Sequence, residues 1–132
     1  MNVVYGEQVA KNQVLARSYT LEQPKVHIKP VPGKQLTLIM SDPDAPQPSW
    51  LHWLVTNISG EMPYWESGDV IVSYAPPTPP SGTHRYIFTL YEQHSSIMIP
   101  PPSERSNFSV RDFVLKHALK KLVSRQIRVA SN

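Results

Sequence analysis

Two histidines of this chain sit in matching contexts. Asp42-Pro43-Asp44-Ala45-Pro46 comes shortly before His52-Trp53, and Pro79-Pro80-Ser81-Gly82-Thr83 leads directly into His84-Arg85-Tyr86. In each, a proline-rich turn delivers an imidazole to the start of an apolar run. If both runs are strands of one sheet, a single sheet end collects two imidazoles, the carboxylates of Asp42 and Asp44 and the Tyr86 phenol. Imidazole and phenol donate hydrogen bonds to phosphate or carboxylate, and histidine gains charge below about pH 6.5. Asp42 is expected to orient a histidine or meet a cationic head group. Asp44 either joins it or holds its own turn, as aspartate commonly does. Pro46 and Pro80 would shape the mouth, and backbone groups near Gly82 would add donors. Arg85 neighbours His84 and should point to the opposite face of its strand, into a structural ion pair.

Rival chemistries have weaker signatures. Two histidines and a carboxylate can ligate zinc or iron, but no His-x-His or His-Glu-x-x-His spacing is present. A Gly-x-Ser-x-Gly elbow and a glycine-rich phosphate loop are also missing. The absence of cysteine excludes thiolate ligands, disulfides and cysteine nucleophiles, and fits a reducing cytoplasmic setting. No cofactor is expected. A metal-dependent or hydrolytic enzyme using the same Asp/His cluster stands as the alternative.

The elements that must position these groups are short. At 132 residues the chain suits one domain, 1–132. Proline clusters at 43–48, 76–80 and 100–102 mark loops, because proline fits neither helix interiors nor central strands. Between them, 36–40, 53–58, 70–74 and 86–91 are rich in β-branched and aromatic residues and read as strands. The last carries apolar groups on both faces and should be central. Shorter strands are expected at 3–5, 14–15 and 26–28. Trp50, Trp53, Tyr74 and Phe88 suit core or pocket wall better than a base-stacking platform. Ser109-Val110-Arg111-Asp112 has the form of a capping box. The apolar pairs Val114/Leu115, Ala118/Leu119 and Leu122/Val123 then predict one helix running to about 123.

Charge is uneven. Residues 1–110 carry 7 basic and 9 acidic side chains, and residues 111–132 carry 6 basic and 1 acidic. With Lys116, Lys120 and Lys121 on the expected helix, this end could touch an acidic partner or an anionic membrane surface. A pure interaction module acting through that helix is a further alternative. Nucleic acid is not an expected partner, since the basic groups are confined to one end.

Two long motifs place these residues in a known context. The chain resembles the phosphatidylethanolamine-binding protein family, which includes Raf kinase inhibitor proteins and plant flowering regulators. The first motif is Leu38-Ile39-Met40-Ser41-Asp42-Pro43-Asp44-Ala45-Pro46, with Trp50-Leu51-His52-Trp53 beyond. The second is Tyr74-Ala75-Pro76-Pro77-Thr78-Pro79-Pro80-Ser81-Gly82-Thr83-His84-Arg85-Tyr86, and Arg105-Ser106-Asn107-Phe108 matches a later segment. The resemblance implies a mainly β fold, with a large antiparallel sheet, a smaller second sheet and a C-terminal α-helix. It implies a small anion pocket for a phosphate-type group, such as a phosphoethanolamine head group or a phosphorylated residue, formed by Asp42, Asp44, Pro46, His52, Pro80, His84 and Tyr86. It also implies a non-enzymatic regulator of a kinase or other protein partner. Only Gln47-Pro48-Ser49 separates Pro46 from Trp50, where the family has a longer loop, so a lower pocket rim is expected there. Pro76 stands where the family has glycine, so that turn should differ.

Overall fold

The alternation of apolar residues along β5 (Gln35–Asp42), β6 (Trp50–Ser59) and β8 (Thr83–Gln93) sends side chains to both faces of one sheet, and both faces are covered. The computed structural model describes residues 1–46 and 49–131. The remaining strands are β1 (Asn2–Tyr5), β2 (Gln8–Val9), β3 (Val14–Leu15), β4 (Lys25–His27), β7 (Asp69–Val72) and β9 (Lys120–Ala130), with one α-helix, α1 (Val110–Lys116). Gln47 and Pro48 fall outside the described residues, and with them the expected lowering of the rim.

The large sheet has the order β3-β9-β8-β5-β6-β7, and a small sheet has the order β2-β1-β4. The large sheet is mixed and not wholly antiparallel as expected, because β3 joins β9 in parallel through Val14↔Arg128 and Leu15↔Val129. Its inner face packs on the small sheet. There Tyr86, Phe88, Met40, Trp53 and Ile127 meet Val3 and Tyr5 in one apolar layer. Its outer face carries Ile39, Leu51, Leu54 and Tyr91, which Phe113 of α1, Leu119 and Ile97 cover. β8 lies between β9 and β5, the central place its two apolar faces require.

The expected helix is shorter than the apolar pairs predict. Ser109 caps it, its Oγ accepting the Asp112 amide at 3.0 Å. It ends because Ala118 turns left-handed, with φ +50°. Leu119 N–H then donates to Val114 C=O at 3.0 Å and Ala118 N–H to Leu115 C=O at 3.3 Å, the paired bonds of a Schellman ending. Leu119 is buried on the outer-face cluster as the chain reverses into β9. Lys120 and Lys121 therefore belong to a strand, and of the basic residues expected on one helix only Lys116 remains on α1, beside Arg111.

Two features fix the sheet end that carries the motifs. The β5–β6 register shifts between Met40 and Ser41, a bulge that re-aims the last residues of β5. Gly82, at φ +67°, makes the left-handed turn into β8. Its carbonyl accepts the Ser131 amide at 2.9 Å, tying that turn to the chain end.

Candidate functional site

β5, β6 and β8 are adjacent and antiparallel, so the end of β5 meets the starts of β6 and β8. This brings Asp42, Trp50, His52, His84 and Tyr86 to one corner. A cavity of about 280 Å³ opens there, lined by Asp42, Ala45, Pro46, Trp50, His52, Thr78, Pro80 and Tyr86. Of the residues singled out from sequence, Asp42, Pro46, His52, Pro80 and Tyr86 face this cavity. His84 stands behind its wall, while Asp44 and Gly82 do not line it.

The two histidines are held in different ways. His84 Nδ1 donates to Asp42 Oδ2 at 2.7 Å, with both residues buried. The other oxygen, Asp42 Oδ1, accepts the Asp44 amide at 2.8 Å. Asp42 thus orients His84 and has both oxygens engaged. His52 Nδ1 lies 2.6 Å from the Ala75 carbonyl. A carbonyl only accepts, so Nδ1 carries the proton and Nε2 of the neutral ring has a lone pair. Burial pushes the His52 pKa below its ordinary value, against the opposing pull of the Ala75 carbonyl and Asp42. The charge expected below pH 6.5 is therefore deferred to more acidic conditions at this ring.

Tyr86 lies between the imidazoles. Its ring meets His52 edge-on at 5.1 Å and lies near-parallel to His84 at 6.5 Å. It is fully buried, and its hydroxyl finds no hydrogen-bond partner among the described residues. Asp42 is close enough to help burial raise the phenol pKa. The Asp42 carboxylate has lone pairs beyond those given to His84 and the Asp44 amide, but neither oxygen is in hydrogen-bonding geometry with the Tyr86 hydroxyl.

Asp44 turns the other way. Arg85 Nε and Nη2 reach its carboxylate at 2.9 and 2.8 Å, and the Arg85 amide adds a bond of 2.8 Å. These bonds hold the Asp44 pKa down to about 2. Arg85 does make the expected structural pair, but the pair is solvent-exposed and not buried beneath the sheet. In the Asp-Pro-Asp turn, one carboxylate orients a histidine inside and the other fastens the turn to β8 outside.

Arg105 was not among the residues expected to shape the site. Its Nη1 donates to the His52 carbonyl at 3.0 Å and its Nη2 to the Ser73 carbonyl at 2.9 Å. Its guanidinium lies 5.5 Å from the centre of the Trp50 ring. Leu51 N–H donates to Arg105 C=O and Phe108 N–H to Ser49 C=O, both at 2.8 Å, so residues 105–108 brace the start of β6. The only sequence signal for this was the Arg-x-Asn-Phe motif. Beside Pro76, the Ala75 amide donates to the His52 carbonyl at 2.8 Å, so this segment grips His52 through backbone and ring alike. Trp50, expected as core or pocket wall, and Thr78, unassigned from sequence, complete the wall.

Among the described residues, no group of three or more histidine, cysteine or acidic side chains could hold a metal ion. What the corner offers is a buried phenol without an acceptor, an imidazole with a free nitrogen, and an aromatic and proline-lined mouth. These groups suit a small anion.

Comparison with known proteins agrees with the motifs. The phosphatidylethanolamine-binding protein family matches residues 5–127. Protein MOTHER of FT and TFL1 homolog 2 of Oryza sativa subsp. japonica is 38% identical over 129 residues, covering 90% of this chain and 74% of that protein. Protein TERMINAL FLOWER 1 of Arabidopsis thaliana is 37% identical over 131 residues, covering 90% of this chain and 72% of that protein. The fold of a phosphatidylethanolamine-binding protein from Plasmodium vivax superposes with a TM-score of 0.82 at 16% identity, over 99% of this chain and 84% of that one. From its motifs, its two-sheet architecture and these likenesses, the chain belongs to the phosphatidylethanolamine-binding protein family.

Proposed function

We propose that this protein is a non-enzymatic regulator whose corner cavity takes a phosphate-type anion, either a phospholipid head group such as phosphoethanolamine or a phosphorylated side chain. The observation that carries this reading is the unpaired, fully buried Tyr86 hydroxyl beside His52. A buried hydroxyl without a partner costs roughly 1–3 kcal/mol, and an anionic oxygen within reach removes that cost. On protonation His52 Nε2 becomes a second donor, while Asp42 holds His84 behind the wall. The regulated partner is a kinase or another signalling protein, and its setting is the cytoplasm, where such partners are found.

The test is a titration with phosphoethanolamine and with inorganic phosphate, following the His52 and His84 ring signals by NMR. Saturable shifts of both rings are expected, with affinity reduced by about tenfold or more in His52→Ala. Equal affinity in the wild type, His52→Ala and His84→Ala would overturn the reading.

A further inference from the structure

A second concavity lies on the outer face of the same sheet end. Strand alternation produces it. Asp42 and Trp50 face the anion cavity, whereas their neighbours Ser41, Pro43 and Ser49 face the opposite side. There, α1 and Phe108 cover only part of the sheet. A groove of about 480 Å³ remains over β5, β8 and β9. Its floor is formed by Ser41, Ile87, Thr89 and Ser124, with Thr89 Oγ1 and Ser124 Oγ bonded to each other at 2.7 Å. Arg111 and Lys121 stand exposed at its rim, and none of its lining residues is acidic. Of the carboxylates of the Asp-Pro-Asp turn, Asp42 is taken by His84 and Asp44 by Arg85.

We propose that this groove binds an extended acidic segment of a partner protein. Charge complementarity decides the sign: among the described residues Arg111 and Lys121 make no ion pair and no lining residue is acidic, which favours glutamate or aspartate side chains. The floor decides the form. Hydroxyls alternating with Ile87, Phe108 and Val110 suit an extended chain that sends acidic groups to the rim and apolar groups inward. Lys121 also begins a stretch of β9 whose edge is open. β3 pairs with β9 only at Arg128 and Val129, so residues 120–125 have no strand neighbour opposite β8 among the described residues. An extended segment leaving the groove there meets free backbone groups. A planar bilayer does not reach the floor, because Ser41 and Thr89 are each more than nine-tenths buried. Nucleic acid would require a base-stacking platform, and Phe108 is instead packed against Phe113.

The probe is a short fluorescein-labelled peptide of alternating glutamate and leucine, with a lysine–leucine peptide as control. The glutamate peptide is expected to bind saturably, to shift the amide signals of Ser41, Thr89, Phe108 and Ser124, and to weaken as salt rises. Arg111→Glu combined with Lys121→Glu should weaken it by at least about tenfold. Should that pair fail to fold, Arg111→Gln with Lys121→Gln removes the charge and should act in the same direction. Equal binding of the lysine peptide, shifts confined to Asp42, His52 and Tyr86, or affinity unchanged in a folded rim variant would each overturn the proposal. Binding of phosphatidylserine vesicles through the same rim without binding of the peptide would also overturn it, in favour of a lipid surface.

Discussion

Replacing Tyr86 with phenylalanine should have opposite effects on stability and on binding. The ring is fully buried, and its hydroxyl has no partner among the described residues, so the substitution keeps the packed ring and deletes only a desolvated oxygen. An unsatisfied buried hydroxyl costs roughly 1–3 kcal/mol, so the unliganded variant should be more stable by about 1 kcal/mol. For a domain of this size that raises Tm by about 3–5 °C. In the proposed bound state the same hydroxyl would donate to an anion. A bond to a charged group contributes about 1.5–3 kcal/mol, so Kd should rise roughly 10- to 100-fold. Sulfate is a suitable probe because it stays dianionic across the pH range of interest. If the wild type binds sulfate with a Kd of about 1 mM, then ~10 mM sulfate stabilises it by about 1.4 kcal/mol but the variant by about 0.4 kcal/mol or less. The higher-melting variant should therefore lose its lead as sulfate is added. The assay is thermal unfolding across a sulfate series, with calorimetry for Kd. A variant that melts below the wild type without anion would mean the hydroxyl already has a partner. Equal gain from sulfate in both proteins would mean it does not face the ligand. Either result refutes the argument.

Two further predictions concern proton linkage and backbone strain. Because burial lowers the His52 pKa, its neutral form is favoured by folding. This contribution to stability is complete above the unfolded pKa of about 6.5 and is lost as pH falls below it toward the folded pKa. On the proposed reading a bound anion meets the proton on Nε2, so sulfate affinity should rise as pH falls from about 8 to 6, by up to tenfold per unit. Calorimetry in buffers of different ionisation enthalpy should report proton uptake, and a flat profile with no uptake would exclude His52 as a donor. Ala118 holds φ +50°, which costs an L-residue about 1–2 kcal/mol. Glycine gives back about 0.4–1 kcal/mol through the freer unfolded chain. Ala118→Gly should therefore raise stability by about 0.5–1 kcal/mol, and a lower Tm would show that the helix ending is not strained.

The strands were legible because their signals are local. Loops dense in proline separated short β-branched and aromatic runs, and the two-sided apolar character of residues 86–91 required a central place. The helix end was not legible. Alanine is the strongest helix former, so nothing in Ala118 itself announces a left-handed turn. The pairs at 114/115, 118/119 and 122/123 fit a helix as well as they fit a helix, a turn and a strand. Burial of Leu119 against the outer-face cluster decides between these, and that is a tertiary effect. Arg105 was hidden for a similar reason. Its bonds reach carbonyls more than fifty positions earlier in the chain at Leu51 and His52, partners that the local Arg105-Ser106-Asn107-Phe108 motif does not reveal. The parallel pairing of β3 with β9 likewise joins opposite ends of the sequence.

The candidate site was more legible in composition than in division of labour. Sequence placed Asp42 and Asp44 together, and the turn itself separates them. Asp42 and Asp44 lie two apart, yet the turn after β5 breaks strand alternation, so one carboxylate goes inward to His84 and the other outward to Arg85. The histidines divide as well. His84 is paired to a carboxylate, while His52 is paired to a neutral carbonyl and can take up net charge on binding. On the proposed reading, a corner built this way holds its acid in check with one imidazole and keeps the other for the ligand. Charge in the cavity would then depend on occupancy, and an anion would enter with a proton. That coupling follows from which acceptor each Nδ1 meets, and it would vanish if His52 met a carboxylate instead of the Ala75 carbonyl.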